Sequence, residues 1–530
     1  MELTNEQLVV FLVLLVAVAA MLVVAPTLRV PYPIVLVIGG LALGFVPGMP
    51  EVELPPDLVL VAVLPPLLYA GTFFTSLHEL KLNMRPIGLL AVGLVVATML
   101  AVAVVAHAAI DDLSWSSAFV LGAIVSPTDP IAATAIARRF GVPRRLVTIV
   151  EGESLINDGT ALVAYRFAVV AVVSGSFSLW QAGLEFVYSV TAGIAIGLGV
   201  GWLIRQLRRR LDNPPLEITI ALLSGYLAYI PAELVHASAV LAAVTVGIYM
   251  GAHTSELTTA RTRVQGDAVW EIVVFLLNAL LFVLIGLQLP VILDELSGQA
   301  AGTLLVYGLI VSLTVIVVRI AGTFAATYIP RLLSSRIRER DPYPPWQQPA
   351  FVSWAGMRGA VSLAAALALP LTTDAGAPFP GRDLILYLAF CVILATLVGQ
   401  GLTMPLVIRF LGLESDRHLE TEEARARIRA AEAALARLEE LVDEDWVPPD
   451  TAERLRGLYS FRHGRFTARH DRDDESAHEE LQRAYQRLRR ELLAAEREAL
   501  DELRRDGVIT EQVLQRVVRD LDLEDLRLDA

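Results

Sequence analysis

Four polar side chains in one segment of the sequence could together bind a small cation. Ser154 and Asp158 are four residues apart and therefore share one face of a helix, while Glu153 and Asn157 occupy the neighbouring strip. A hydroxyl, a carboxylate and backbone carbonyls are hard oxygen ligands, which suit an alkali cation better than a transition metal. We therefore predict a cation site on this helix.

Two further stretches are expected to interrupt helices. In Ser126-Pro127-Thr128-Asp129-Pro130, each proline removes a backbone donor, so we expect the helix to unwind there. Asp129 would then either neutralise the positive end of a half-helix or bind the cation directly. In Gly356-Met357-Arg358-Gly359, paired glycines weaken the helix, and Arg358 would neutralise negative helix ends. Ordinary proline kinks and a loop arginine are the alternative.

Arg319 lies near the middle of another apolar segment and needs a carboxylate partner to be tolerated there. We predict that this partner is Glu153, because its five-residue offset turns it away from Asp158. Asn157 does not ionise, so Asp158 would remain as the one exchangeable carboxylate. A carboxylate that holds either a proton or a cation is sufficient for coupled exchange, because cation binding displaces the proton.

These segments lie in a chain that is too apolar for an ordinary soluble protein. Hydrophobic residues make up 55% of the 530 residues, and the mean hydropathy is +0.57. Ionisable residues at bilayer depth are costly, so we interpret them as functional. Apolar runs predict thirteen membrane spans, at about Leu8–Ala25, Pro31–Val46, Leu58–Phe74, Ile87–Ile110, Trp115–Ala137, Leu146–Val173, Leu179–Ile204, Leu216–Tyr229, Ala237–Tyr249, Trp270–Leu289, Leu304–Tyr328, Phe351–Leu369 and Leu384–Leu411.

The charges of the connecting loops support this count and predict the orientation. Basic residues in short loops stay on the cytoplasmic side. They occur in alternate loops, at Arg29, Lys81, Arg85, Arg138, Arg139, Arg144, Arg145, Arg205, Arg208, Arg209, Arg210, Arg261, Arg263, Arg331, Arg336, Arg338 and Arg340. The intervening loops contain only Arg382. We therefore predict an outside amino terminus and a cytoplasmic carboxyl-terminal tail.

The predicted fold is an all-α polytopic membrane protein with two inverted six-helix repeats. Spans 1 to 6 begin outside, spans 8 to 13 begin inside, and the two predicted breaks fall in the fifth span of each set. The membrane domain is predicted to cover residues 1–411. Residues 412–530 form a tail with 31 acidic and 21 basic residues, net −10, whose apolar positions recur at helical spacing.

Four motifs resemble the monovalent cation:proton antiporter family of the sodium/proton exchanger type, in its bacterial branch. They are Ser126–Pro130, Gly152–Gly159, Tyr229–Gly247 with its Ala232-Glu233 pair, and Gly356–Leu369. The resemblance covers nearly the whole membrane region. It implies a plasma-membrane homodimer, in which a core of spans about 4–6 and 11–13 moves in an elevator-like way against a dimerisation domain. It also implies a transporter without cofactor or nucleic-acid partner, surrounded by membrane lipid.

The same resemblance implies roles for individual residues. Asp158 would be the main site for cation and proton, with Na⁺ held by Asp158, Ser154 and Thr128, and with Asp129 contributing. The buried Glu-Arg pair of the family corresponds to Glu153 and Arg319. The Asn157-Asp158 pair implies electroneutral exchange of one Na⁺ or Li⁺ for one H⁺.

Several alternatives remain open at this point. K⁺ in place of Na⁺ is the nearest, and a cation channel is a different class, which would show sodium conductance uncoupled from pH. A membrane sensor would lose its main activity without the tail. Arg166 would extend to the outer interface as an anchor. Glu233 and Glu271 would line a cation vestibule or lie at the interface.

Overall fold

The chain folds into two compact units, Met1–Ser415 and Asp416–Ala530. The structure is a computed structural model, and it describes residues 16–25, 27, 30–46, 58–111, 113–174, 179–296, 298–413, 417–444, 446–470 and 475–529. Within these residues the regular secondary structure is helical, apart from one isolated β-bridge between Thr372 and Pro378. The predicted all-α class is therefore confirmed.

The first unit contains seventeen helices among its described residues. In chain order they are α1 (Val16–Ala25), α2 (Tyr32–Gly44), α3 (Leu64–Phe73), α4 (Leu77–Leu82), α5 (Met84–Ala109), α6 (Trp115–Val125), α7 (Ile131–Arg139), α8 (Arg144–Ser174), α9 (Leu179–Arg208), α10 (Pro214–Leu234), α11 (Ala239–Leu257), α12 (Ala260–Glu295), α13 (Ala301–Leu333), α14 (Ser335–Arg340), α15 (Gln347–Trp354), α16 (Ala360–Leu367) and α17 (Arg382–Leu411). A π-helical turn, Leu58–Val63, precedes α3, and two others interrupt α5 and α17.

Seven helices in the described part of the chain are long and apolar enough to cross a membrane. They are α5, α8, α10, α12, α13, α17 and, from Gly183 onward, α9. Shorter apolar helices lie at five of the remaining predicted spans, although residues 8–15 of the first span fall outside the described residues. The predicted span Phe351–Leu369 contains α15 and α16 instead, which have eight residues each. A helical multi-pass membrane protein is confirmed, whereas the count of thirteen crossings and the inverted repeat stay predictions.

Two helices are longer than their apolar runs predicted. α10 has 21 residues and α11 has 19, although hydropathy placed their ends at Tyr229 and Tyr249. Polar caps determine where they begin: the Asn213 side chain accepts from the Leu216 N–H, and Ser238 accepts from the Leu241 N–H. α10 also continues through Pro231. Most of the extra residues lie at the carboxyl ends, where Glu233 in α10 and His253 and Glu256 in α11 interrupt the apolar run although the helix continues.

Helix breaks are present at both expected positions. α6 ends at Val125 and α7 begins at Ile131, while α15 ends at Trp354 and α16 begins at Ala360. The two non-helical stretches meet, because the Asp129 N–H donates to the Met357 carbonyl at 2.8 Å. Four half-helix ends therefore converge inside the protein.

Two hydrophobic clusters divide the first unit. The larger contains α5–α8, α13 and α15–α17, with Leu121, Phe351 and Ile385 among its fully buried members, and it includes parts of α2 and α12. The smaller contains α3 and α9–α11, with Leu68 and Ala228 among its members, and reaches Trp270 of α12. Because each cluster has its own buried residues, the unit has two packed halves.

In the described residues of the second unit there are four helices: α18 (Arg417–Leu441), α19 (Pro449–His470), α20 (Glu475–Arg505) and α21 (Glu511–Asp529). α19 begins at Pro449, after the sequence Val447-Pro448, and proline suits the first helical turn. An ion pair between Arg456 and Glu439 at 3.0 Å joins α19 to α18. Arg497 joins α20 to α21 through Asp522 and Asp525.

Candidate functional site

A cavity of about 690 Å³ penetrates the first unit. One wall is formed by the α6–α7 break, α8 and the start of α16, and the other by α2, α3 and α12. Charged residues lie around its mouth, namely Arg138, Glu151, Asp267 and Glu271. Asp158 is the lining residue that lies farthest along α8 from this mouth, so the cavity connects one face of the protein to Asp158.

Asp158 lies close to the middle of the 31-residue helix α8. It is fourteen residues beyond Arg144, about 21 Å along the helix axis. The residue is only 7% exposed, and no ion pair joins it to a basic side chain in the part of the chain that the structure describes. A buried carboxylate with access to water and no fixed counter-charge can accept either a proton or a cation.

Ser154 and Asn157 attach α8 to the unwound stretch beside it. The Ser154 hydroxyl donates to the Thr128 carbonyl at 2.7 Å, and the Asn157 amide donates to the Thr128 hydroxyl at 2.8 Å. The amide oxygen of Asn157 is buried without a hydrogen-bond partner. Thr128, Asp129, Ser154 and Asp158 line the cavity together, whereas Asn157 lies behind this surface. The structure thus brings the predicted ligands together on one wall.

Glu153 and Arg319 form an ion pair across 166 residues of sequence, and each side chain is 1% exposed. The pair is bidentate: Arg319 Nη1 donates to Glu153 Oε1, and Nη2 donates to Oε2 at 2.8 Å. Nη2 also donates to the Val352 carbonyl at 3.1 Å. The Thr128 hydroxyl lies 3.5 Å from Glu153 Oε1. This fixed pairing leaves Asp158 as the uncompensated carboxylate of α8.

Asp129 contacts the amino ends of two half-helices. Its Oδ1 accepts from the Ile131 N–H at 2.9 Å at the start of α7, and the Ala360 backbone at the start of α16 also donates to its carboxylate. Helix amino ends carry partial positive charge, which a carboxylate neutralises. A Cβ atom at Gly359 would overlap the Asp129 carboxylate, so this close approach requires glycine.

Arg358 contacts the carboxyl ends of the other two half-helices. Its Nε donates to the Val125 carbonyl at 3.1 Å at the end of α6, and Nη1 donates to the Gly356 carbonyl just after α15. Its backbone N–H donates to the Thr396 hydroxyl at 3.0 Å. The guanidinium therefore lies where partial negative charge accumulates. Thr396 was not singled out from the sequence, because it is one of several hydroxyl residues in its apolar span.

Three charged residues with open roles lie outside this group. Arg166 pairs with Glu233 of α10 at 2.5 and 2.7 Å, and its role as an anchor stays a prediction. Glu233 is not among the residues that line the cavity, whereas Glu271 lies at the mouth. Whether two such side chains pair depends on how their helices are positioned relative to each other along their axes. The spacing of residues in the sequence does not reveal this relative position.

Two further residues that line the cavity, Tyr32 and Asn278, were not predicted from the sequence. Asn278 had a signal, since it is an amide within the long apolar run of span 10. Tyr32 had none, because tyrosine is common at membrane interfaces.

Comparison with known proteins identifies the family. The family model described as sodium/hydrogen exchanger, transmembrane, matches residues 11–409. A Mycobacterium tuberculosis protein named as an uncharacterized Na⁺/H⁺ exchanger is 37% identical over 534 residues, covering 99% of this chain and 97% of the relative. The Na⁺/H⁺ antiporter ApNhaP of Aphanothece halophytica is 34% identical, covering 81% and 78%.

Two further comparisons add a broader relative and a fold. A Bacillus pumilus protein named as a sodium, potassium, lithium and rubidium/H⁺ antiporter is 31% identical, covering 78% of this chain and 63% of the relative. The solved structure of the sodium/proton antiporter MjNhaP1 of Methanocaldococcus jannaschii has a TM-score of 0.61 and 18% identity, covering 77% of this chain and 100% of that chain. The fold, the motifs and the matched length agree, and the chain belongs to the transmembrane sodium/hydrogen exchanger family.

Proposed function

We propose that the protein is a secondary active antiporter that exchanges Na⁺ or Li⁺ for H⁺ across the cell membrane. One observation carries the proposal: Asp158 is the buried, uncompensated carboxylate at the inner end of a cavity that opens on one face. Its neighbour Glu153 is held by Arg319 and is not free to exchange. Cation and proton therefore compete for one negative charge.

The oxygen atoms around Asp158 suit an alkali cation. The Ser154 hydroxyl donates to the Thr128 carbonyl, so its lone pairs remain available to a cation beside the Asp158 carboxylate. Thr128 adds a hydroxyl, and Asp129 acts directly or through water. We assign Na⁺ binding to Asp158, Ser154 and Thr128, with Asn157 positioning Thr128. Because Asn157 is neutral, the site loads one cation or one proton, which predicts electroneutral one-for-one exchange.

Access to the site would alternate between the two sides of the membrane. Just beyond Asp158, α8 packs closely on α11: a Cβ at Gly159 would lie 3.2 Å from the Leu241 side chain. The mouth lies on the side of the protein that carries Arg138, Arg139, Arg144 and Arg145 at the connection between α7 and α8, here called the arginine-rich side. This side would be cytoplasmic, so this conformation would face inward. We propose that a core of α5–α8, α13 and α15–α17 moves in an elevator-like way against the remaining helices, which mediate a homodimer. An uncoupled channel would need access from both sides at once.

K⁺ is the second candidate substrate, because the Bacillus pumilus relative is named for potassium as well as sodium. The same site and cycle would serve both ions. Discrimination would depend on the size of the oxygen cage around the bound ion.

The testing experiment measures exchange in proteoliposomes with an imposed pH gradient. The parent and Asp158→Asn are compared with lithium, sodium and potassium. We expect the substitution to abolish exchange, because an amide cannot trade a proton for a cation. Asp212→Asn, an exposed carboxylate outside the cavity, is the matched control and should retain parental rates. Exchange that survives in Asp158→Asn would refute the site.

A second arm of the experiment tests the stoichiometry. With the membrane potential clamped at different values, the parental rate should stay nearly constant. A steep dependence on potential would mean that a further charge crosses in each cycle.

A further inference from the structure

An asparagine of α12, outside the wall that carries the candidate ligands, lines the cavity and has an unpartnered amide oxygen. Asn278 of α12 lines the cavity and is only 2% exposed, and its Oδ1 has no hydrogen-bond partner. Burying an amide acceptor without a partner is costly. In a cavity that leads to a cation site, transient binding of a ligand to this oxygen would supply the missing partner.

The surroundings of Asn278 hold its side chain in this orientation. A side-chain hydrogen bond links it to the Tyr32 hydroxyl, and because Oδ1 has no partner, the amide nitrogen makes this bond. The Tyr32 ring packs against Phe275, one turn before Asn278 on α12, with ring centroids 5.2 Å apart. The nitrogen is thereby engaged, and the oxygen is left buried without a partner in a residue that lines the cavity.

The charges around this oxygen favour a cation. The Tyr32 hydroxyl lies close enough to Asp129 to interact with its charge, and Asp158 lines the same cavity. The basic side chain lining the cavity in the described residues is Arg138, which is 70% exposed and pairs with Glu151 at 2.8 Å. A neutral amide oxygen in a cavity that is also lined by Asp129 and Asp158 is a hard ligand for an alkali ion.

We propose that Asn278, oriented by Tyr32, forms a second cation subsite in this cavity, on the wall that does not carry Asp158. A partly dehydrated cation would contact this oxygen on its way between the mouth and Asp158. The inference rests on the proposed function and adds a ligand from outside the α6–α8 wall. Because the subsite belongs to the conformation described here, it affects loading from the arginine-rich side only.

The test compares Asn278→Leu with the parent in oriented proteoliposomes. Leucine keeps the approximate volume but removes the oxygen. We expect the KM for Na⁺ on the arginine-rich side to rise about three- to tenfold, the effect of losing one polar contact. The maximal rate and the KM on the opposite side should stay at parental values. Unchanged KM values on both sides, or equal rises on both sides, would overturn the proposal.

A second substitution keeps the test decisive if Asn278→Leu does not fold. Asn278→Asp retains an oxygen at this position and adds a charge, so it should lower the same one-sided KM. Tyr32→Phe preserves the ring that packs on Phe275 and removes the hydroxyl, so it should raise this KM by less than Asn278→Leu does. A KM for Asn278→Asp that equals the parental value would overturn the proposal as well.

The assay separates this inference from the proposed function. Loss of exchange in the parent, or exchange that persists in Asp158→Asn, would contradict the function itself. Parental exchange that depends on Asp158 but ignores both Asn278 substitutions would contradict only the subsite.

Discussion

Neighbouring carboxylates on α8 have opposite environments. Glu153 is bound on both oxygens by Arg319, whereas Asp158 faces the cavity without a basic partner. The two residues are five positions apart, so they point to different sides of the helix. Thr128 contacts both the ion pair and the candidate cation ligands, since its hydroxyl lies 3.5 Å from Glu153 and its carbonyl accepts from Ser154. The ion pair therefore also supports the wall that carries the candidate ligands.

Glu153→Gln should destabilise the protein strongly, because it leaves the buried Arg319 charge without compensation. Removing one partner of a buried pair typically costs about 3–5 kcal/mol. We expect a large fall in the melting temperature of the purified protein. The double variant Glu153→Gln/Arg319→Gln removes both charges and should recover part of the loss. A double variant as unstable as the single one would contradict this role of the pair.

At the scale of elements, the two broken helices form a crossing whose partial charges are matched. Asp129 contacts the two amino ends, and Arg358 contacts the two carboxyl ends. Each charged side chain thus substitutes for the water that would otherwise solvate open helix ends. Glycine at 359 is required because the chain passes directly over the Asp129 carboxylate.

A second electrostatic centre joins helix ends outside the membrane. Asp341, in the connection after α14, pairs with Arg85 of α5 and Arg331 of α13, each at 2.6 Å, and with Arg145 of α8 at 3.2 Å. Burial alone would raise the pKa of Asp341. The hydrogen bonds and charges of Arg331 and Arg145 outweigh burial, however, and hold this pKa below its usual range.

A carboxylate whose pKa is lower in the folded state than in the unfolded state stabilises the folded protein. This contribution is complete at pH values above the pKa of the unfolded state, which is about 4 for aspartate. The contribution is lost as the pH falls through the lower, folded pKa. Asp341→Asn should therefore lower the melting temperature at pH 7, and its difference from the parent should shrink in acid. Asp374→Asn, an exposed loop carboxylate, serves as the control. A difference that is independent of pH would contradict this electrostatic origin.

At the scale of the whole molecule, two ion pairs in the described residues join the proposed core to the proposed dimerisation helices. One joins Arg144 of α8 to Glu79 of α4 at 3.0 Å. Arg166 of α8 pairs with Glu233 of α10, and each side chain is 43% exposed. Arg166 is about 33 Å along α8 from Arg144, on the side of Asp158 away from the cavity mouth. The pair therefore holds the two halves together on the closed side, and an elevator motion would have to break it.

Charge-swapping tests this coupling. Arg166→Gln and Glu233→Gln should each change the exchange rate by up to about fivefold, because a partly exposed pair contributes about 0–1 kcal/mol. The swapped variant Arg166→Glu/Glu233→Arg should return towards the parental rate. Proteoliposome exchange measures all three variants. If the effect of the swap on the exchange rate equals the combined effects of the two single substitutions, Arg166 and Glu233 are not energetically coupled.

The sequence by itself determined the helical membrane class, the family, the two helix breaks and the residues whose charge needs a partner at bilayer depth. These are local properties: apolar runs, prolines, glycines and isolated charges act within a few turns of their own helix. The lengths of α10 and α11, the pairing of Arg166 with Glu233, and Tyr32 and Asn278 on the other cavity wall were decided only by the tertiary structure. The physical reason is that a contact between helices depends on their relative offset and rotation, which packing across the whole unit sets and which no single segment encodes.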